Sequence, residues 1–197
     1  DGNGANNLNQ GSGVMYFYRG HTYLLTAAHC VKDATKNLVN VECKINTDPV
    51  AFKKLRVLKV LPSVYDLEKG LDYAVLEIDN PNNGFLSEGS VRLTNFSTSA
   101  RIDLPTATYG FLHWCREGRC FEVKPSDEGH HWEVDMPVGR REDFGQQIKG
   151  LSGAGVFNFD EGYFECLGVI KCTREERGLG HDVAITKALD FQGLIES

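Results

Sequence analysis

His29, Asp72 and Ser152 are the residues of this chain whose types, order and surroundings could carry covalent chemistry. His29 ends the stretch Leu25-Thr26-Ala27-Ala28-His29 and is followed by Cys30. Asp72 opens Asp72-Tyr73-Ala74-Val75-Leu76, and Ser152 stands in Gly150-Leu151-Ser152-Gly153. A serine hydroxyl is a poor nucleophile at neutral pH. It needs a base within hydrogen-bond reach, and the base needs a third group that fixes its tautomer. Histidine, then aspartate, then serine is one of the chain orders in which such a set occurs. In that arrangement His29 takes the serine proton and returns it to the leaving group, while Asp72 steadies the imidazolium. Activity is then expected to fall as the pH drops through the ordinary imidazole range, roughly pH 6 to 7. Glycine at Gly150 lets the backbone turn so that the amides of Gly150 and Ser152 aim at one point, an oxyanion hole.

The three residues lie too far apart in sequence for local structure to join them, so a tertiary fold must. Short strand-like segments dominate the chain. Gly13 to Arg19 and Thr22 to Ala27 flank Gly20-His21, which reads as a hairpin turn. Asn37 to Ile45, Leu55 to Leu61 and Tyr73 to Ile78 follow. The breaker-rich run Asp79-Asn80-Pro81-Asn82-Asn83-Gly84 then marks a boundary between two halves. In the second half Thr106 to Cys115, Cys120 to Lys124, His131 to Pro137, Gly155 to Phe159 and Cys166 to Cys172 read as strands, with Arg116-Glu117-Gly118-Arg119 as a four-residue hairpin loop. Ile185, Ala188, Leu189 and Ile195 fit one face of a C-terminal helix. Many short strands between turn signals point to an all-β fold of barrels or a sandwich.

With these elements in view, the chain resembles the trypsin/chymotrypsin-like serine peptidases from Gly11 to its C-terminus. Thr26-Ala27-Ala28-His29-Cys30 is similar to that family's histidine motif almost letter for letter. Leu71-Asp72-Tyr73-Ala74-Val75-Leu76 resembles its aspartate motif, and Gly150-Leu151-Ser152-Gly153 its serine motif. The resemblance implies a single peptidase domain over 1–197. It would hold two antiparallel six-stranded β-barrels, over 11–80 and 104–183, a short C-terminal helix over 184–196, and the triad between the barrels. A glycine-flanked serine also marks the α/β-hydrolase elbow, but there the histidine follows the serine. Only His181 follows Ser152, and no alternation of helices and strands surrounds it.

Three departures from the resembling enzymes stand out. The place of the aspartate before the nucleophile, which pairs with a freed N-terminus in zymogen activation, holds Leu151. That trait is similar to the bacterial and viral branches. The cysteine that usually pairs with Cys30 from the preceding strand has no counterpart between Gly11 and Leu25, which implies a free thiol or another partner. The segment that would line the primary pocket reads Lys171-Cys172-Thr173, with Lys171 where the family usually has serine. Gln146, six residues before Ser152, would sit at the pocket base. A neutral amide and a lysine disfavour a basic side chain before the scissile bond and favour an uncharged or acidic one.

Composition narrows the rest. The net charge of −6 opposes a nucleic-acid partner. No apolar run is long enough to span a membrane. Six cysteines permit three disulfides in many pairings, but a chain of 197 residues can bury a core without them. The reading leans to reduced thiols and a cytoplasmic setting. His113, Cys115, Cys120, His130 and His131 form a loose group that matches no common zinc spacing, and a cysteine pair across a hairpin accounts for it as well. The chain is therefore expected to be a serine endopeptidase acting on protein or peptide substrates, with no cofactor and no metal. It would be the peptidase part of a larger bacterial, defence-linked protein, controlled by a neighbouring domain or partner. The alternatives are a viral polyprotein-processing peptidase, an ester-cleaving acyl hydrolase that shares the triad, and a catalytically silent binding module.

Overall fold

The computed structural model describes residues 11–31, 43–48, 51–66, 68–79, 91–94, 106–111, 118–127, 131–134, 150–160, 162–173 and 182–197. These form thirteen strands and two helices. The N-terminal sheet is built from β1 (Val14–Tyr18), β2 (His21–Thr26), β3 (Cys43–Asp48), β4 (Ala51–Val60), β5 (Val64–Asp66) and β6 (Leu71–Asp79), with the short helix α1 (Ala28–Val31) after β2. Its path runs β1-β2-β6-β4-β3, and β5 pairs with the start of β6. The C-terminal sheet comprises β7 (Val91–Leu93), β8 (Thr106–Phe111), β9 (Gly118–Asp127), β10 (His131–Val134), β11 (Gly155–Asp160), β12 (Tyr163–Thr173) and β13 (Asp182–Lys187). Its pairings run β11-β8-β9-β10-β13-β12, and β12 pairs again with β11, so they form a circuit; β7 adds to β12 in parallel. Helix α2 (Ala188–Glu196) ends the chain.

The structure is thus mostly β with a short C-terminal helix, as the turn-punctuated sequence leads one to expect. Several details differ. The first hairpin turns at Arg19-Gly20, and His21 already belongs to β2, opposite Tyr18. Both turn residues have positive φ, 49° and 83°, as a two-residue turn matched to the twist of its strands requires. Gly118 and Arg119 lie in β9, paired with Phe111 and Gly110, instead of in a four-residue loop. Cys120 faces Tyr109 and is a free thiol, and Cys115, the other cysteine of the expected hairpin pair, lies outside the described residues. Residues 184–187 are strand, not helix. Val183 and Ile185 fill the interior of the C-terminal sheet while β13 is hydrogen-bonded between β10 and β12, and this outweighs the helical spacing of Ile185 and Ala188. The expected six-stranded closure of the N-terminal half is absent among the described residues, where β1 and β3 end the path. Strand β12 is not straight: its register shifts at Leu167 and again at Lys171.

Three apolar clusters account for the packing. Leu55, Leu76 and Ile78 centre one within the N-terminal sheet. Phe121, Val134, Val156, Leu167, Ile170 and Val183 belong to one within the C-terminal sheet. The third lies between the sheets, joining Val14, Leu25 and Val75 to Cys166, Val169 and the helix residues Ala188 and Phe191. Strand β6 serves two of them, sending Leu76 and Ile78 one way and Val75 the other. Phe191 is fully buried and meets Tyr73 edge to face, centroids 5.5 Å apart. Phe191→Ala is expected to cost about 3–5 kcal/mol through the cavity it leaves, a fall of roughly 10 °C in Tm for a chain of this size. Leu189→Ala on the exposed side of the same helix should change stability by less than about 0.5 kcal/mol. Thermal denaturation of the two variants measures the contrast.

Candidate active site

Strand pairing brings His29 to Asp72. β2 and β6 run antiparallel with Thr26 opposite Ala74, so the residues just beyond that pair, entering α1 on one side and starting β6 on the other, come together. The Asp72 carboxylate uses both oxygens on His29. Oδ1 accepts the backbone N–H of His29 at 2.9 Å, and Oδ2 lies 2.6 Å from ring Nδ1. With Nδ1–H donating to the carboxylate, the second nitrogen, Nε2, is left as the proton acceptor of the neutral ring. Asp72 is buried and the His29 side chain is one-third exposed.

The C-terminal sheet holds this corner from behind. Thr186 Oγ1 on β13 donates to the Asp72 carbonyl at 3.2 Å. Lys171, the unpaired residue at the second β12 bulge, sends its Nζ to the Gly70 carbonyl at 2.6 Å. One donor of the proposed pocket lysine is therefore spent on the turn that leads into Asp72. Cys172 and Thr173 pair through their backbones with Ala184 and Val183, and Gln146 lies outside the described residues. Of the loose Cys/His group, His113, Cys115 and His130 also lie outside them.

Ser152 is carried on a tight turn. The Ala154 N–H donates to the Leu151 carbonyl at 2.8 Å, closing Leu151 to Ala154, and Gly153 sits at φ 89°, the left-handed value such a turn needs at its third residue. Gly150 also has positive φ, 101°. The Gly153 N–H donates to the Ile170 carbonyl at 2.7 Å, and the Ile170 N–H returns to the Ala154 carbonyl at 2.8 Å. Leu151 is buried in the C-terminal cluster and serves as the apolar anchor of this turn. The Gly150 and Ser152 amides donate to no acceptor among the described residues.

The histidine and serine segments meet at Cys30. Its Sγ lies 3.6 Å from His29 Nε2 and 3.8 Å from the Ser152 carbonyl. Among the described residues no hydrogen bond joins the Ser152 hydroxyl to the imidazole. Cys30 is a free thiol, and the residue facing it across the junction is Gly11. A methyl group at Gly11 would run into Cys30 Sγ and approach the Ser152 carbonyl to 2.9 Å. Two other contributors were not singled out from sequence. Thr186 offers no signal there, because a threonine in a strand is commonplace. Ser12, between Gly11 and Gly13, has a weak one: small residues flanking a serine mark a close approach of backbones.

Neither protein-family models nor curated proteins give a match to this chain. The residues and their geometry therefore carry the functional reading.

The Asp72 hydrogen bond first, then the Cys30 contact, raise the His29 pKa from 6.5 to about 10, against the opposing effect of burial. The ordinary imidazole range expected from sequence is thus displaced upward. Because the folded value exceeds the unfolded one, the pair's contribution to stability is fully present below about pH 6.5 and is lost as the pH rises through about 10. Titration followed by imidazole NMR should place His29 well above 6.5 in the intact chain, and Asp72→Asn should bring it down. An unshifted His29 in the parent protein would contradict the bond. A separate test addresses Cys30. A Cβ at Gly11 would lie 3.2 Å from the Cys30 Cβ, close to the roughly 3.5–4.5 Å of a disulfide. After mild oxidation and unfolding, Gly11→Cys is expected to titrate one thiol fewer than the parent chain; one thiol more would mean that the two positions do not face each other.

Proposed function

We propose that this chain is a serine endopeptidase of the trypsin/chymotrypsin-like type, using Ser152 as nucleophile, His29 as base and Asp72 as the orienting carboxylate. The observation that carries the reading is the two-point grip of Asp72 on His29, through ring and backbone at once. A carboxylate serving only as a strand residue has no need to fix a histidine tautomer, whereas a general base does. The circuit of pairings through β11, β8, β9, β10, β13 and β12 supports a closed six-stranded barrel as the C-terminal half, with the N-terminal sheet as the second, incomplete one among the described residues.

In this reading His29 Nε2 takes the proton from Ser152 Oγ as that oxygen bonds to the scissile carbonyl carbon. The carbonyl oxygen becomes an oxyanion facing the amides of Gly150 and Ser152. Collapse breaks the C–N bond, and the proton on His29 passes to the leaving amine. Water then repeats the sequence on the acyl-enzyme and frees Ser152. For this to proceed the serine hydroxyl must replace the Cys30 sulfur as the partner of Nε2. Substrate is a protein or peptide, no cofactor takes part, and a partner or neighbouring domain is the proposed means of control. The elevated His29 pKa places the active, neutral imidazole on the alkaline side.

One observation favours the second reading, a catalytically silent binding module: Nε2 contacts Cys30 and not the serine. A fluorophosphonate probe separates the two. The parent chain should label at Ser152, faster as the pH rises, and cleave casein or a peptide mixture. Ser152→Ala should lose labelling and, on the order of 10⁴-fold, peptidase activity, while its melting curve stays unchanged. An unlabelled, folded parent chain would favour the silent module.

A further inference from the structure

We propose that the Ser12 hydroxyl is a positioning device for the nucleophile turn, so that the segment before β1 sets the geometry of the oxyanion donors. The activity arm of this inference rests on the peptidase reading; the structural arm does not. Ser12 is buried. Its Oγ–H donates to the Gly150 carbonyl at 2.9 Å, and its N–H donates to the Ser152 carbonyl at 2.7 Å. Its own carbonyl accepts the Thr26 hydroxyl at 2.8 Å, which ties it to the end of β2, three residues before His29. One residue thus holds both carbonyls that flank Leu151 and is itself fastened to the strand that leads to the base.

The consequence follows from which peptide units are held. The unit after Ser152 is fixed by the Ser12 N–H and by the Gly153 bond to Ile170. The unit between Leu151 and Ser152 carries the Ser152 amide and is fixed by Ala154. Among the described residues the unit after Gly150 has no such backbone partner on its carbonyl; its bond comes from the Ser12 side chain. The Gly150 amide belongs to the preceding unit and is joined to the held one only through the φ and ψ of Gly150, which has no Cβ to restrict them, so releasing the Ser12 bond loosens the direction of that amide. Oxyanion stabilisation depends on donors aimed before charge develops. Ser12 therefore acts through Gly150 and not on substrate. Gly110, whose added Cβ would lie 2.9 Å from Ser12 Oγ, and Gly153, whose added Cβ would overlap the Ser12 carbonyl, show how closely the surroundings are shaped to this residue.

The experiment compares the full chain with Ser12→Ala and Thr26→Val. Amide hydrogen exchange over residues 150–154 reads the turn directly. Ser12→Ala should raise exchange there about tenfold and leave the β4–β6 amides unchanged. Steady-state kinetics well below the melting temperature should show kcat reduced about tenfold with KM and the pH midpoint held, a split that mere loss of stability would not produce. If Ser12→Ala does not fold, Thr26→Val, which removes the bond to the Ser12 carbonyl and leaves both Ser12 bonds to the turn in place, should show the same changes to a smaller degree. Unchanged exchange at 150–154 overturns the proposal, and so does faster exchange with unchanged kcat. If the parent chain neither labels nor cleaves, the peptidase reading fails, and the exchange result alone decides the role of Ser12.

Discussion

The geometry of the site depends on how closely two backbones approach at Ser12 and Gly153. The turn that carries Ser152 belongs to the C-terminal sheet, and Ser12 leads into the N-terminal one. They touch without an intervening side chain because residue 153 has none, and an alanine methyl there would overlap the Ser12 carbonyl. Gly11 repeats the arrangement one step earlier, against Cys30 and the Ser152 carbonyl. Contacts this short leave room for hydrogen bonds only. Three of them, two from Ser12 and one from Thr26, fill the seam and fix the Ser152 turn relative to the histidine strand.

Asp72 is the electrostatic counterpart of that seam. A buried carboxylate is costly unless its oxygens are satisfied, and here His29 satisfies both. The bond from the ring to Oδ2 orients the imidazole and is the largest cause of its raised pKa, so one carboxylate contributes to both orientation and basicity. The C-terminal sheet takes part without touching the carboxylate: Thr186 holds the Asp72 carbonyl and Lys171 the Gly70 carbonyl. The position read from sequence as a pocket wall thus has a structural task at the aspartate corner, made available by the bulge that turns Lys171 out of register.

Much of this was legible in the residues, and the reasons for the exceptions are physical. Period-two patterning between turn signals located most strands, because a half-buried strand must alternate. It failed at residues 184–187, where β13 is buried on both faces and Val183, Ala184 and Ile185 show no alternation. It failed at Arg19-Gly20, where φ of 49° at an arginine is a choice that type preferences disfavour. His29 with Asp72 could be paired from their motifs, and the structure joins them. The supporting contacts could not, since Ser12, Gly11 and Thr186 act through backbone carbonyls and close approach, which leave little trace in residue type.

Phe191 and its neighbours lead to one more conclusion. The cluster between the sheets draws on β1, β2, β6, β12 and α2, so neither sheet owns the apolar surface that completes it. Each half on its own would present to water the face that now receives the other. The molecule is in that sense indivisible: shortening it to either half would yield a sticky fragment and not a smaller working unit.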